Sequence, residues 1–229
     1  MVTKRMNLEE LEKIDSKKMY QTYDKWPEIA KDGFDNDFEK FDAKGIDNIV
    51  FSGMGGSGSI GDVISAILSK EDIHVSNVKG YHLPKTVDSN SLVISTSVSG
   101  NTKETLTVLE KAQKTDAKIA VFSSGGMIQE FSKTNNLFFQ EISMIHSPRA
   151  SFPKFLFTIL NILKEIIPIK KTHVEEAISS LEITRNNIFS NNLTEDNISL
   201  KLAEWIKDIP LIYYPWGLQS AAIRFKNSL

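Results

Sequence analysis

With 229 residues, 41% of them hydrophobic, the chain can bury one good core and part of a second, which bounds it to one or two domains. Its 27 Lys and Arg nearly balance 29 Asp and Glu, a formal net charge of -2 with no long block of one sign, so nothing predicts a nucleic-acid or membrane-surface partner. The lack of cysteine excludes disulfides, thiolate metal sites and cysteine nucleophiles together, and no apolar run reaches the roughly eighteen residues of a membrane span, so a soluble, cytoplasmic protein is expected.

Residues 7–31 set Leu8, Leu11, Ile14, Met19 and Tyr23 at helical spacing among charges, predicting an amphipathic helix or helix pair that covers the core rather than belonging to it. From residue 47 the short β-rich runs DNIVFSG, DIHVSNV, SLVISTS, KIAVFSS and LFFQEIS alternate with helical stretches at 59–69, 102–115 and 126–135. Strand, helix, strand in repetition predicts an α/β fold with a parallel sheet wrapped by helices on both faces. After HSPRASFP, the stretch KFLFTILNILKEI is apolar nearly all round and predicts a buried or dimer-facing helix. Helices are predicted at 172–190 and 197–207, and IPLIYYPWGLQSAAIRFKNSL reads as a strand, a glycine turn and a helix. A βα pair cannot bury its own faces, so it either adds to the first sheet or opens a second α/β lobe that is incomplete in this chain; the second is expected. The predicted organisation is a helical segment over 1–45, an α/β domain over 46–150, a helical connection over 151–207 and the start of a second lobe over 208–229.

Two loops carry chemistry. FSGMGGSGSIG, residues 51–61, sets Gly53-x-Gly55-x-x-Gly58 between a strand and a helix, where backbone amides converge on an anion at the helix's positive end. A dinucleotide site also wants a carboxylate at the end of the second strand. Here that strand has Asp72 at its beginning and none at its end, and no Lys-Ser/Thr pair closes the glycines into a P-loop. A tight turn with close helix-to-strand packing is the alternative reading of the glycines. STSVSGNTKET, residues 95–105, gathers the hydroxyls of Ser97, Ser99 and Thr102 and the amides of Gly100, Asn101 and Thr102 at another helix N-terminus. A capping box of Asn101 and Glu104 explains two of those residues and leaves the other small polar ones unexplained. Two polar cups side by side at the carboxyl ends of parallel strands suit a small phosphorylated polyol better than a dinucleotide.

GMGGSG followed about forty residues later by SxSGNTxET resembles the sugar isomerase (SIS) domain. With SPRASF and YYPWGLQSAAIRFKNSL, residues 20–229 are similar to the bifunctional phosphoglucose/phosphomannose isomerases of archaea and some bacteria. The resemblance implies two SIS lobes of flavodoxin-like topology, a homodimer, and reversible aldose-to-ketose conversion of hexose 6-phosphates with neither cofactor nor metal. It implies that Gly55, Gly56 and Ser57 contact the sugar end, that Ser97, Ser99, Gly100 and Thr102 hold the phosphate, and that Arg149 sits over the reacting carbons. An enediolate needs a base and a cation near the developing oxyanion, and Arg149 supplies fixed positive charge; its other reading is a surface or salt-bridging arginine. His146, beside a proline turn, is read as structural or exposed. The family's glutamate base lies just past RFKNSL, and its ring-opening histidine and a further lysine lie later, all beyond Leu229. Glu104 in a capping turn, Glu110 in mid-helix and Glu141 in a strand are no substitutes. The expectation is a truncated isomerase that keeps the phosphate site and the arginine without the proton-transfer groups. A non-catalytic SIS module that binds a sugar phosphate and regulates something is the alternative; a nicotinamide-dependent reductase is disfavoured by the missing carboxylate.

Overall fold

The computed structural model describes residues 6–215 and 217–229; the first five residues of the predicted segment 1–45, and Trp216 of the C-terminal motif, lie outside the described residues. Three helices, α1 (Leu8–Ile14), α2 (Met19–Asp24) and α3 (Trp26–Asp35), precede five strands: β1 (Asn48–Ser52), β2 (His74–Val78), β3 (Ser91–Ser97), β4 (Lys118–Ser123) and β5 (Phe138–Glu141). The strands form one sheet in the order β2-β1-β3-β4-β5, every pairing parallel. Helices α4 (Gly55–Ile67), α5 (Lys103–Ala112) and α6 (Gly126–Thr134) make the crossovers. All five predicted runs contain a strand, because strands covered on both faces read as continuous apolar segments; β1 and β3 are buried along their whole length.

Successive side chains of a strand point to opposite faces, which divides the core in two. Ile49, Phe51, Leu92, Ile94, Ala120 and Phe122 face Ile60 and Ile64 of α4 and the apolar helix α7 (Phe152–Ile162). Val50, Val93 and Val121 face Leu109 and Ala112 of α5 and Ile128 of α6. Helix α7 is thus buried within the chain. Helices α8 (Lys171–Ile188), α9 (Ile198–Trp205) and α10 (Gln219–Lys226) complete the described structure, and no helix among the described residues is long and apolar enough to cross a membrane.

Two expectations are corrected. The leading segment is not all cover: α1 and α2 bury no residue, but α3 buries Pro27, Ala30 and Gly33 against α7. Small residues three apart let the two backbones approach, and a Cβ at Gly33 would lie 3.0 Å from the carbonyl oxygen of Lys154. The segment 209–215, expected as a strand, forms no ladder among the described residues. Its alternating Ile209, Leu211 and Tyr213 are 92%, 78% and 88% exposed. Alternation supplies a strand's faces but not the partner whose amides and carbonyls make it one.

Close helix-to-strand packing predicts a reversal of the usual propensity rule at Gly61 of α4. Alanine in place of a helical glycine ordinarily gains about 1 kcal/mol. Here the added Cβ would lie 2.7 Å from Phe51 Cβ and 2.5 Å from Asn77 Oδ1. Gly61→Ala is therefore expected to lose about 1–3 kcal/mol in urea unfolding, the cost of overpacking. A gain in stability would contradict this packing.

Candidate functional site

The chain runs from β1 to β2 in one direction across the sheet and from β3 to β5 in the other. Helices α4 and α5 consequently pack on opposite faces, and a crevice opens at the carboxyl ends of β1 and β3, the place where open parallel sheets bind ligands. Both predicted loops border it. They are joined there: the amide of Val98 donates to Ser57 Oγ at 3.3 Å.

The serine-rich loop is shaped by its own hydroxyls. The buried Ser97 Oγ accepts from the Gly100 amide at 3.1 Å and lies 2.8 Å from Thr102 Oγ1. Ser99 is exposed, and the amide of Asn101 reaches its Oγ at 3.4 Å. Gly100 takes φ +70°, and a Cβ there would overlap the carbonyl oxygen of Gly125 in the loop after β4. That third loop supports the second: Ile128 N donates to Gly100 O at 3.0 Å, and Ser124 Oγ donates to Val98 O.

The capping box is not formed. Thr102 is the N-cap of α5, and no side chain caps the helix. Asn101 instead accepts from the amide of Met127, at the start of α6, at 3.2 Å, and Glu104 pairs with Tyr81. The first-turn amides of α5 are left for another acceptor. Helix α4 likewise has no side-chain cap and no acidic residue in its first turn. Packing accounts for part of its glycine run, since a Cβ at Gly58 would lie 2.7 Å from Gly53 O. Packing does not account for Gly55, which takes φ +53° beside open space, nor for Gly56, whose added Cβ would stand 3.6 Å from both Pro148 O and Arg224 Nη1. Where a dinucleotide site needs a carboxylate after β2, this chain has Lys79, whose Nζ is 2.5 Å from Asp62 Oδ2 of α4.

Arg149 lies in a turn tied on several sides. Ser151 Oγ accepts from Ile145 N at 2.8 Å, Trp26 Nε1 donates to Ala150 O at 2.9 Å, and Arg224 Nη2 donates to Arg149 O at 3.3 Å. The Arg149 side chain is exposed and makes no ion pair among the described residues, so the salt-bridge reading is not realised. It is close enough to Tyr23 and Arg224 to act on both. Burial pushes the Tyr23 phenol above its ordinary range, against the pull of Arg224 and Arg149. His146 takes φ +58° with Nε2 2.9 Å from Lys17 O, a tie to the N-terminal helices. Glu141 is engaged by Gln129 at 3.1 Å, Glu110 is exposed on α5, and no group of three His, Cys, Asp or Glu among the described residues could hold a metal. The loops around Gly55–Ser57 and Ser97–Thr102 thus meet across the crevice, with the turn of Arg149 beside Gly56. Arg224, on a motif noted in the sequence but given no role, joins them; it is 75 residues from Arg149, and no local spacing signals the pair.

Residues 44–138 match the SIS domain family. The chain is 33% identical over 182 residues to the bifunctional phosphoglucose/phosphomannose isomerase of Thermoplasma acidophilum, an alignment covering 79% of this chain and 54% of that protein. It is 26% identical over 212 residues to the D-glucosamine-6-phosphate 4-epimerase of Sulfolobus acidocaldarius, covering 92% and 65%. In structure it resembles the tagatose-6-phosphate ketose/aldose isomerase of Escherichia coli with a TM-score of 0.50 at 18% identity, covering 79% of this chain and 52% of that one, a likeness of fold. The chain spans about half the length of the first curated relatives it matches.

The interlocked loops make two glycines unequal although both have positive φ. Gly55→Ala meets only the left-handed backbone penalty, about 1–2 kcal/mol. Gly100→Ala adds a collision with a backbone carbonyl and is expected to cost at least about twice as much in the same denaturation experiment. Equal losses would mean that the loops after β3 and β4 are not in contact.

Proposed function

We propose that this chain, whose residues 44–138 form a SIS domain, binds a hexose 6-phosphate across the crevice between α4 and α5 and serves reversible aldose-to-ketose isomerisation, glucose or mannose 6-phosphate to fructose 6-phosphate, through an enediolate. The observation that carries this reading is the uncapped, hydroxyl-lined N-terminus of α5 at the reversal of strand order. Ser97, Ser99, Gly100 and Thr102 hold the phosphate. In the Ser97–Thr102 pair one hydroxyl donates to the other, which leaves one hydroxyl hydrogen for the ligand. Gly55, Gly56 and Ser57 meet the sugar end. Ser57 Oγ already accepts from Val98 N, so its own hydrogen is available to a sugar oxygen.

Arg149 stabilises the oxyanion that develops as the proton passes between C1 and C2. A guanidinium stays charged at any working pH and cannot take that proton itself. None of Glu104, Glu110 and Glu141 is assigned the task, so the base is not assigned among these residues. The relatives named above carry two different reactions in their names, and both names contain a phosphorylated hexose, so they support the substrate class more firmly than the reaction. A cytoplasmic homodimer, with residues 208–229 opening a second lobe, belongs to the same proposal. Exposed Trp205, Ile209, Leu211 and Tyr213 provide apolar surface suited to further packing.

Isothermal titration with fructose 6-phosphate and with NADH tests the reading. Fructose 6-phosphate is expected to bind and NADH not to; tight NADH binding with indifference to sugar phosphate overturns the proposal. Ser99→Ala or Thr102→Ala is expected to weaken fructose 6-phosphate at least tenfold with an unchanged circular dichroism spectrum. A hydrogen bond to a charged acceptor is worth about 1.5–3 kcal/mol, and each 1.4 kcal/mol is tenfold in affinity. Unchanged affinity in both variants would reduce the motif to support for the fold.

A further inference from the structure

Arg224 lies on α10, and nothing in the proposed chemistry so far uses its side chain. Its guanidinium carbon stands 4.6 Å from the ring centre of Phe152, at the start of α7, and 5.8 Å from that of Trp26, at the start of α3. Nη2 donates to Arg149 O at 3.3 Å, and Nη1 reaches to within 3.6 Å of the place a Cβ would take on Gly56. The group is half-buried, and no carboxylate pairs with it among the described residues. A half-buried cation ordinarily keeps a carboxylate beside it to offset lost hydration. Here the flanking groups are two aromatic faces, a second guanidinium and the N-terminus of a 13-residue helix, whose dipole adds more positive charge. Burial, and after it the Arg149 charge, act against the charged form of Arg224, while Tyr23, the two ring faces and the Arg149 carbonyl act for it. The arrangement is costly for the ligand-free protein and favourable once an anionic or electron-rich group enters.

We propose that Arg224 is a positioning residue of the site: held over Phe152 and Trp26, it binds the Arg149 carbonyl and so aims the Arg149 side chain over Gly56. This inference rests on the hexose 6-phosphate reading for its ligand but not for its geometry. Arginine is required because the role uses a flat face for stacking and a fork of donors, and lysine has neither.

The test uses two readouts on Arg224→Gln and Arg224→Lys. The first is hydrogen exchange in the ligand-free protein at the amides of Ala150 and Ser151, which donate to Ser147 Oγ at 3.4 Å and Ser147 O at 3.0 Å. Exchange there is expected to quicken at least tenfold in both variants, with the sheet amides unchanged. The second is fructose 6-phosphate affinity by titration, expected to fall at least fivefold in either variant. In an Arg149→Ala background the same Arg224 substitution is expected to change affinity less than twofold, because a residue that acts through Arg149 loses its effect once that side chain is gone. A purely structural contribution would be as large in either background, and that result overturns the proposal, as does wild-type exchange at residues 150 and 151 in both variants. Should Arg224→Gln not fold, Arg224→Lys carries the same expectations. Faster exchange in a protein whose wild type ignores fructose 6-phosphate would uphold the positioning of the turn and remove the hexose phosphate reading instead.

Discussion

The reversal of strand order between β1 and β3 is the constraint on which the site depends. Right-handed crossovers from these two neighbouring strands must leave on opposite faces of the sheet, so no helix can close the space above their carboxyl ends. The same geometry aims the first-turn amides of α4 and α5 at that space. Most of the local sequence then serves to keep the gap shaped without filling it. Ser57 reaches across to Val98, and the loops after β3 and β4 lie so close that a Cβ on Gly100 would overlap Gly125 O and one on Gly126 would meet Gly100 and Asn101. These are hydrogen-bonded contacts between small residues, which carry little apolar area; the loops borrow their rigidity from the strands beneath them, where Ser95 and Ser97 are fully enclosed.

The same parallel topology delivers the arginines. Every strand ends at one edge of the sheet, so the segment that leaves β5 begins at the edge where the crevice opens, and it must cross back over that edge to enter α7 on the α4 face. The turn around Arg149 lies on this return path. Helix α3 fixes its far side: α3 packs on α7 through Ala30 and Gly33, and the first residue of α3, Trp26, then reaches Ala150 O and offers a face to Arg224. A packing interface between two helices thus decides where a charged group stands. Part of the N-terminal segment that its charges marked as a cover is a support for the site.

What was legible from the chain was whatever local pattern determines. The five strands and their connecting helices follow from β-rich runs alternating with amphipathic stretches, and the small polar residues at 97–102 announced themselves by a composition that capping alone does not require. Helix α4 begins at Gly55 rather than at 59, and it runs through Gly58 and Gly61 because tight packing on Lys79 and Phe51 rewards glycines that intrinsic propensity penalises. Partners distant in sequence were not legible. Asn101 serves a helix 26 residues on, and Arg224 serves a carbonyl 75 residues back. The run at 209–215 has the alternation of a strand and forms no ladder among the described residues, which a one-dimensional pattern cannot reveal.

The two ends of the crevice differ in the kind of positive potential they offer, and on the proposed reading that difference orients the ligand. At the α5 end the donors are neutral: backbone amides and hydroxyls held in a closed loop, a nest of the kind that suits the several oxygens of a phosphate. At the α4 end the charges are formal, but Arg224 has one nitrogen on a carbonyl and its guanidinium carbon over two rings, and Arg149 remains open to solvent, so a dianion there would meet few fixed donors. Shape therefore favours phosphate at α5, while net charge favours any anion at α4. A substrate with a permanent dianion at one end and a charge that appears at the other only during reaction satisfies both at once. On that reading the neutral nest takes the charge that is always present, and Arg149, held in place by Arg224, is left for the charge that develops, which is where a fixed cation lowers a barrier rather than merely tightens binding.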